Sequence, residues 1–398
     1  MGLPETDRMR SRLVPIVMCV VVTCGLLVMY WPMLRTPSDM KFFGIADAWT
    51  YTGAVLFYMD HSIHSGEFPL WNPLVFCGQP IAGNPQYLLF YPPNLVRSLL
   101  TFHPTPWNTL TGLAIMAFGH ALFAALGSYG LARRRGMSAA AAGFAGVVFV
   151  FSAALTQRYF MHHHMVFVVS WLPWCLLALD RGMASASWRT AIARDAVLGT
   201  SFGLCLLAGS PGMTYFVAIA MVLYWVLGRV VLPPAGRIAS QMSRDLVGGT
   251  LAVAIALSLA AALLLPAVEF VQQTQRADDG AQKLELSPSM ESTTLWESLL
   301  FYPGGESHEG IKGIGACALL LALPALFSRC RRDVVLFAFM SAVLLYASQV
   351  DSALMLHVIG PLAPFPISSP GRMTLLAALP LALLAGYGAD RLAELIDS

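Results

Sequence analysis

Charge is what this sequence has least of. Asp, Glu, Lys and Arg together make up 12% of its 398 residues, about half the share of a typical soluble domain. Apolar residues make up 57%, and the mean hydropathy is +0.65, which together place the chain in a bilayer. A net charge of +2, with no basic cluster interleaved with aromatics, gives no footing for a nucleic-acid partner. A Gly-rich phosphate loop of the GxxxxGK type is missing as well, which argues against an ATP-driven transporter. Cysteine is scarce where it counts: of the seven, only Cys77 falls on the outer side of the topology set out below, so no intrachain disulfide is expected.

Long hydrophobic runs, in contrast, are plentiful. Runs of bilayer length or nearly so give about ten candidate spans, at residues 13–34, 110–132, 139–155, 165–179, 196–208, 213–231, 247–267, 314–327, 334–347 and 373–389. Several are short, and the run at 196–208 reaches bilayer length only if it extends back through Ile192. The expectation is an all-α polytopic membrane protein forming a single domain over residues 1–398. The first run has a basic flank but no small-residue cleavage site, and reads as an uncleaved anchor.

Arginine sets the orientation. With the N-terminus inside, the inner segments hold most of the cationic side chains, including Arg8, Arg10, Arg12, Arg133, Arg134, Arg135, Arg229, Arg329, Arg331 and Arg332. An even number of spans with both termini cytoplasmic is the consistent solution. Three outer segments of substance remain, residues 35–108, 268–313 and 349–372, and they carry most of the acids. Chemistry is expected on that face.

The first outer segment holds two features. "FFGIADAWTYTGAVLFYMD", residues 42–60, reads as a short helix lying along the membrane. Within it Asp47, beside Trp49 and Tyr51, is a partly desolvated carboxylate suited to taking a proton from a hydroxyl. Then follows "GEFPLWNPLVFCGQPIAGNPQYLLFYPPN", residues 66–94, where aromatics alternate with Pro and Asn as suits the interface. Trp71, Asn72, Gln79, Asn84, Gln86 and Tyr91 fit a sugar-facing lining; the same residues also make turns. Asp60 opens "DHSIHSGE", a polar stretch that either contributes to a site or faces water.

The run "IADAW" with "GEFPLWNPLVFCGQPIAGNPQYLLFYPPN" resembles the first external loop of the YfhO-like bacterial membrane proteins. These belong to the GT-C class of polyprenyl-phosphate-sugar-dependent glycosyltransferases. "RYFMHHHMVFVVSWLPWCLLALDR", "AGSPGMTYF", "LLPAVEFVQQTQRA" and "APFPISSPGRMTLLAALPLALLAGYGADRL" resemble later blocks of that family, in matching order from about Asp47 to Leu392. The resemblance implies a GT-C-like fold in the bacterial cytoplasmic membrane. It also implies inverting transfer of a sugar from a polyprenyl-phosphate carrier to a cell-envelope glycan or lipid acceptor on the outer face, with Asp47 as the acidic residue of the first loop and general base. Membrane lipids are then its surroundings. Departures are the Gly209-Ser210-Pro211 turn, where relatives often carry a histidine, and Ser368 and Ser369 in place of a further arginine. Many relatives continue through more spans and an outer domain, so a reduced form, or a fragment without its acceptor-binding part, is expected.

The departing lipid phosphate requires a cation. Arg372, where the resemblance places an arginine, and Arg158 are the candidates, against simple snorkelling to the headgroups. In "MHHHM", three consecutive helical side chains point about 100° apart and cannot all reach one ion without an irregular backbone. His163 or His164 is better suited to binding phosphate or sugar singly. No cofactor is called for, and a divalent metal stays open. His120 reads as a satisfied buried residue. Glu269, at a helix C-terminus where the macrodipole opposes it, needs compensation from Arg276, Arg372 or a sugar hydroxyl. The competing class is a non-enzymatic transporter of lipid-linked saccharide, or an inactive scaffold partner of a synthase. Nearly charge-free spans and the lack of an evident repeat speak for an external-face site instead.

Overall fold

The structure is a computed structural model, and it describes residues 5–35, 48–75, 77–183, 188–231, 238–274, 315–349, 352–363 and 369–397. Asp47, Arg276, Ser368 and most of the second outer segment lie outside the described residues. Among the described residues, seven helices are long and apolar enough to cross a membrane. They are built on α1 (Glu5–Arg35), α4 (Pro106–Arg134), α8 (His163–Met183), α9 (Trp188–Leu207), α10 (Pro211–Val231), α11 (Ile238–Gln272) and α14 (Thr374–Ile396). The remaining three apolar runs form shorter helices. They are α5 (Ala139–Val150), α12 (Ala316–Ala322) continuing as a 3-10 turn over Leu323–Phe327, and α13 (Arg331–Ala347).

Sequence explains these differences from ten full spans. The run at 196–208 does extend backward, giving α9 its 20 residues. The run at 139–155 stops early because Phe151 and Ser152 leave the helix. It then resumes as two single turns, α6 (Ala153–Thr156) and α7 (Arg158–Met161). α4 starts sharply: the Thr105 hydroxyl accepts from the Asn108 amide at 3.1 Å, and Pro106 follows at the first helical position.

Successive helices alternate in direction, so their arginine-rich ends collect on one face. There Arg135 donates to Asp333 Oδ1 at 3.1 Å and to the Tyr224 hydroxyl at 2.6 Å, and pairs with Asp180 at 2.5 Å. The Tyr387 hydroxyl donates to the Arg135 carbonyl at 2.9 Å. One side chain and its backbone thus tie α4, α8, α10, α13 and α14 together. Arg229 grips Asp245 and joins α10 to α11 on the same face. Within the membrane, α14 is the central post, with nearly every residue from Met373 to Gly388 buried.

Small residues let the helices approach. Gly199 and Gly203, one turn apart on α9, face Ala252 and Ala256 of α11 so closely that a Cβ at 199 would stand 2.6 Å from the Ala252 carbonyl oxygen. Interhelical contact in hydrocarbon depends on such fit, because lipid tails are as apolar as the side chains they replace.

The opposite face carries the irregular chain. A π-helical turn, Ala48–Gly53, leads into α2 (Ala54–His64). A two-stranded antiparallel hairpin of β1 (Trp71–Asn72) and β2 (Gln79–Pro80) follows, with Trp71 opposite Pro80. A 3-10 turn, Pro85–Tyr87, and α3 (Pro92–Leu100) complete it. The helical stretch expected over 42–60 is described from Ala48 and runs on to His64.

Filling the α9–α11 contact tests the packing. Gly199→Leu is expected to lower the thermal midpoint of the detergent-purified protein by an overpacking cost of about 1–3 kcal/mol. Leu substituted at Val253, which is 54% exposed on α11, is expected to leave it unchanged.

Candidate functional site on the loop face

α7 brings Arg158 to the loop face, and its turn is pinned from two sides. The Tyr30 hydroxyl of α1 donates to the Tyr159 carbonyl at 2.8 Å, and the Tyr159 hydroxyl donates to the Val150 carbonyl at 3.3 Å. Burial raises the Tyr159 phenol above its ordinary range. His162 then breaks the chain (φ −137°, ψ 61°) before α8 starts at His163. That irregularity takes His162 out of the helix the three histidines were expected to share.

Arg158 Nη1 lies 3.0 Å from His162 Nδ1. A guanidinium only donates, so Nδ1 is the acceptor and the His162 hydrogen sits on Nε2. His163 and His164 are both buried, and His163 Nδ1 has no hydrogen-bond partner. The charges of Arg158 and Arg372 both act on the His164 ring. Arg372 comes from the 3-10 turn Pro370–Met373 that starts the central helix, and is half-buried. Two arginines distant in sequence and three histidines therefore share one neighbourhood. Among the described residues no group of three His, Cys, Asp or Glu is arranged to hold a metal ion.

Over this neighbourhood lies the loop between α2 and α4. Gly209 (φ +97°) turns the chain after α9, and a side chain there would collide with Leu88 of the loop and crowd His164 Cβ at 3.3 Å. Tyrosines and amides stiffen the covering segment. The Tyr87 hydroxyl donates to the Tyr51 hydroxyl at 2.8 Å, Asn84 Nδ2 donates to the same Tyr51 oxygen at 2.9 Å, and the Gln79 amide donates to Tyr87. Burial, with the Tyr51 contact, raises the Tyr87 phenol above its ordinary range. Gln79 and Asn84, expected to face sugar, thus have their amide donors engaged in the wall itself. Asn72 is buried and closes its own turn by accepting from the Leu74 amide at 2.9 Å. Trp71 is different: one part of its ring covers Gly78 (φ +109°), yet it remains 52% exposed. Gln86 is half-buried at the 3-10 turn.

Tyr91 anchors the loop to the bundle through a directional chain. His120 Nδ1 lies 2.7 Å from the Met116 carbonyl, which only accepts, so Nδ1 carries the hydrogen and Nε2 accepts from the Tyr91 hydroxyl at 2.5 Å. Trp171 Nε1 donates to that hydroxyl at 3.0 Å. His120 is the satisfied buried residue expected of it. Sequence reasoning did not foresee Trp171 as a partner of Tyr91, or Tyr51 and Tyr87 as partners of Asn84 and Gln79, since such contacts leave no local pattern.

Asp60 does not face water. It is 0% exposed, receives Arg97 Nη1 at 2.8 Å on Oδ2 and Nη2 at 2.7 Å on Oδ1, and accepts the Thr109 hydroxyl at 2.6 Å. Arg97 Nε donates to Asn94 at 2.8 Å. The ion pair is closed, and it fastens α2 to α3 and α4. The signal for Arg97 was its charge inside an apolar segment, where a buried cation demands a partner. Glu269 is exposed on the last turns of α11, beside Pro266 and Phe270, which pack against Gly83 of the loop.

Removing one partner of the Asp60–Arg97 pair strands the other. Asp60→Asn is expected to cost about 3–5 kcal/mol of stability, read as a fall in thermal midpoint. Combining it with Arg97→Met is expected to recover a large part. A solvated pair would yield nearly no change in either variant.

No protein-family model and no curated protein matches the sequence. Among solved structures, the chain is similar to ArnT from Cupriavidus metallidurans in the apo state, with a TM-score of 0.59 at 15% identity, covering 94% of this chain and 59% of that one. It is also similar to ArnT from Cupriavidus metallidurans bound to undecaprenyl phosphate, with a TM-score of 0.57 at 13% identity, covering 94% of this chain and 60% of that one. The chain spans about three-fifths of the length of ArnT. It is a multi-pass helical membrane protein with an ArnT-like, GT-C-type fold.

Proposed function

We propose that this chain is a YfhO-like member of the GT-C glycosyltransferases, moving a sugar from a polyprenyl-phosphate carrier to a cell-envelope glycan or lipid. The observation that carries the reading is the shared neighbourhood of Arg158, Arg372 and His164 beneath the loop wall. The likeness of fold to an ArnT bound to undecaprenyl phosphate supports it. In this reading the arginine-rich face is cytoplasmic, both termini lie there, and the loop face looks outward from the bacterial inner membrane.

The chemistry needs an acceptor hydroxyl, a departing phosphate and somewhere for a proton to go. The acceptor oxygen attacks the anomeric carbon from the side opposite the phosphate, the carbon–oxygen bond to phosphate breaks, and configuration inverts. Asp47 takes the hydroxyl proton. Arg158 and Arg372 balance the charge that grows on the leaving polyprenyl phosphate, where charge-assisted hydrogen bonds are strongest. His162 offers an Nε2–H to the same phosphate, its tautomer fixed by Arg158, and His163 or His164 contacts phosphate or sugar. Trp71 and Gln86 present a ring face and an amide to the sugar. Asn72, Gln79, Asn84 and Tyr91 keep that wall in shape, and Asp60 holds the wall to the bundle. Glu269 borders the acceptor side.

The test is transfer of labelled sugar from undecaprenyl-phosphate carriers by the purified full chain. Asp47→Asn is expected to lower turnover by about 10²–10⁴-fold while carrier binding persists. Equal transfer by both proteins would remove Asp47 from the mechanism. Absence of transfer with every carrier and acceptor would instead favour a transporter or scaffold.

A further inference from the structure

α3 lies against the start of α4 with two unlike sides. Its inward side carries Asn94 and Arg97, both buried, and Asn94 Nδ2 donates to the Leu88 carbonyl at 3.1 Å. Its outward side exposes Val96, Leu99 and Leu100. Such a helix belongs in the membrane interface. Between it and α4 lies a hollow of about 520 Å³, within the size range of small-molecule sites. Gly112 lets the Arg97 stem form one wall, since a Cβ there would stand 3.1 Å from Arg97 Cγ.

The lining changes along the membrane normal. Between Asn108 and Ile115 α4 rises about 10 Å. His103 and Asn108 stand at the loop-face end, tied by Asn108 Nδ2 donating to the His103 carbonyl at 2.8 Å, while Ile115, further along α4, and the exposed Val96 and Leu100 of α3 give the hollow its apolar lining. Ile115 is 64% exposed on a helix that spans the membrane, so the hollow is continuous with the bilayer-facing surface. Polar at interface level and apolar beneath, it follows the profile of an amphiphile. No carboxylate lines it, and with the Arg97 guanidinium engaged by Asp60 and Asn94, the polar groups it offers at its loop-face end are the His103 imidazole and the Asn108 amide, which can donate to a phosphate.

We propose that the α3–α4 hollow binds one phospholipid of the surrounding bilayer. Its phosphate sits at His103 and Asn108, and one acyl chain runs along Leu100 and Ile115. The site uses none of the residues assigned to sugar transfer and stands or falls separately from that reading.

Phosphatidylglycerol carrying a diazirine in one acyl chain, added to the delipidated full chain in detergent micelles, tests it by mapping the cross-linked residues. Saturable labelling at Leu100 and Ile115, competed by unlabelled phosphatidylglycerol, is expected. Ile115→Trp and Val96→Trp, both at exposed positions, are each expected to abolish the saturable component while labelling of α11 persists. His103→Asp is expected to weaken it. Uniform, non-saturable labelling over α1, α11 and the hollow alike would overturn the proposal. So would indifference to both tryptophan variants.

Discussion

An ion pair shut away from water must satisfy itself, and the Asp60–Arg97 pair does so completely: both carboxylate oxygens and three guanidinium nitrogens have partners. Breaking it would leave a bare charge in an apolar setting, at a cost of several kcal/mol. Its members lie on α2 and α3, with Thr109 of α4 as the third participant. The loop wall between α2 and α4 is consequently held at both ends before any of its own contacts are considered. The Tyr51–Tyr87–Asn84 network and the Trp171–Tyr91–His120 chain then fix its middle.

The two faces of the bundle solve the same problem differently. On the arginine-rich face, Arg135 satisfies carboxylates and phenols from several helices, and its own carbonyl accepts from Tyr387. Little there is left to offer a ligand. On the loop face, Arg158, Arg372 and three histidines gather, and His163 Nδ1 is buried without a hydrogen-bond partner. An unpaired buried group costs about 1–3 kcal/mol, and such a cost is commonly retained where a ligand meets it.

Sequence carried the helical scaffold well, because hydrocarbon length is written directly into apolar runs. α9 extends through Ile192 as its length demanded, and α5 ends where Phe151 and Ser152 interrupt. The site was less legible. Asp60 sits in a stretch that reads as solvated, and its partner is 37 residues away on another helix. Gln79 and Asn84 have the right chemistry for sugar, yet tyrosines not adjacent in sequence claim their donors. His162 leaves the helix through a backbone kink that no residue type announces. Arg158 and Arg372 could be named singly from sequence, but their common bearing on His164 arises only from packing. Asp47, the base of the proposed reaction, lies outside the described residues.

The central claim is that Arg158 and Arg372 together form a seat for a lipid phosphate. Equilibrium binding of undecaprenyl phosphate to the purified full chain, compared with Arg158→Gln and Arg372→Gln, tests it most directly. The account predicts saturable binding that each substitution weakens by about ten- to a hundredfold, the worth of one charge-assisted hydrogen bond. Binding of equal strength by all three proteins, or none by the unaltered chain, would contradict it.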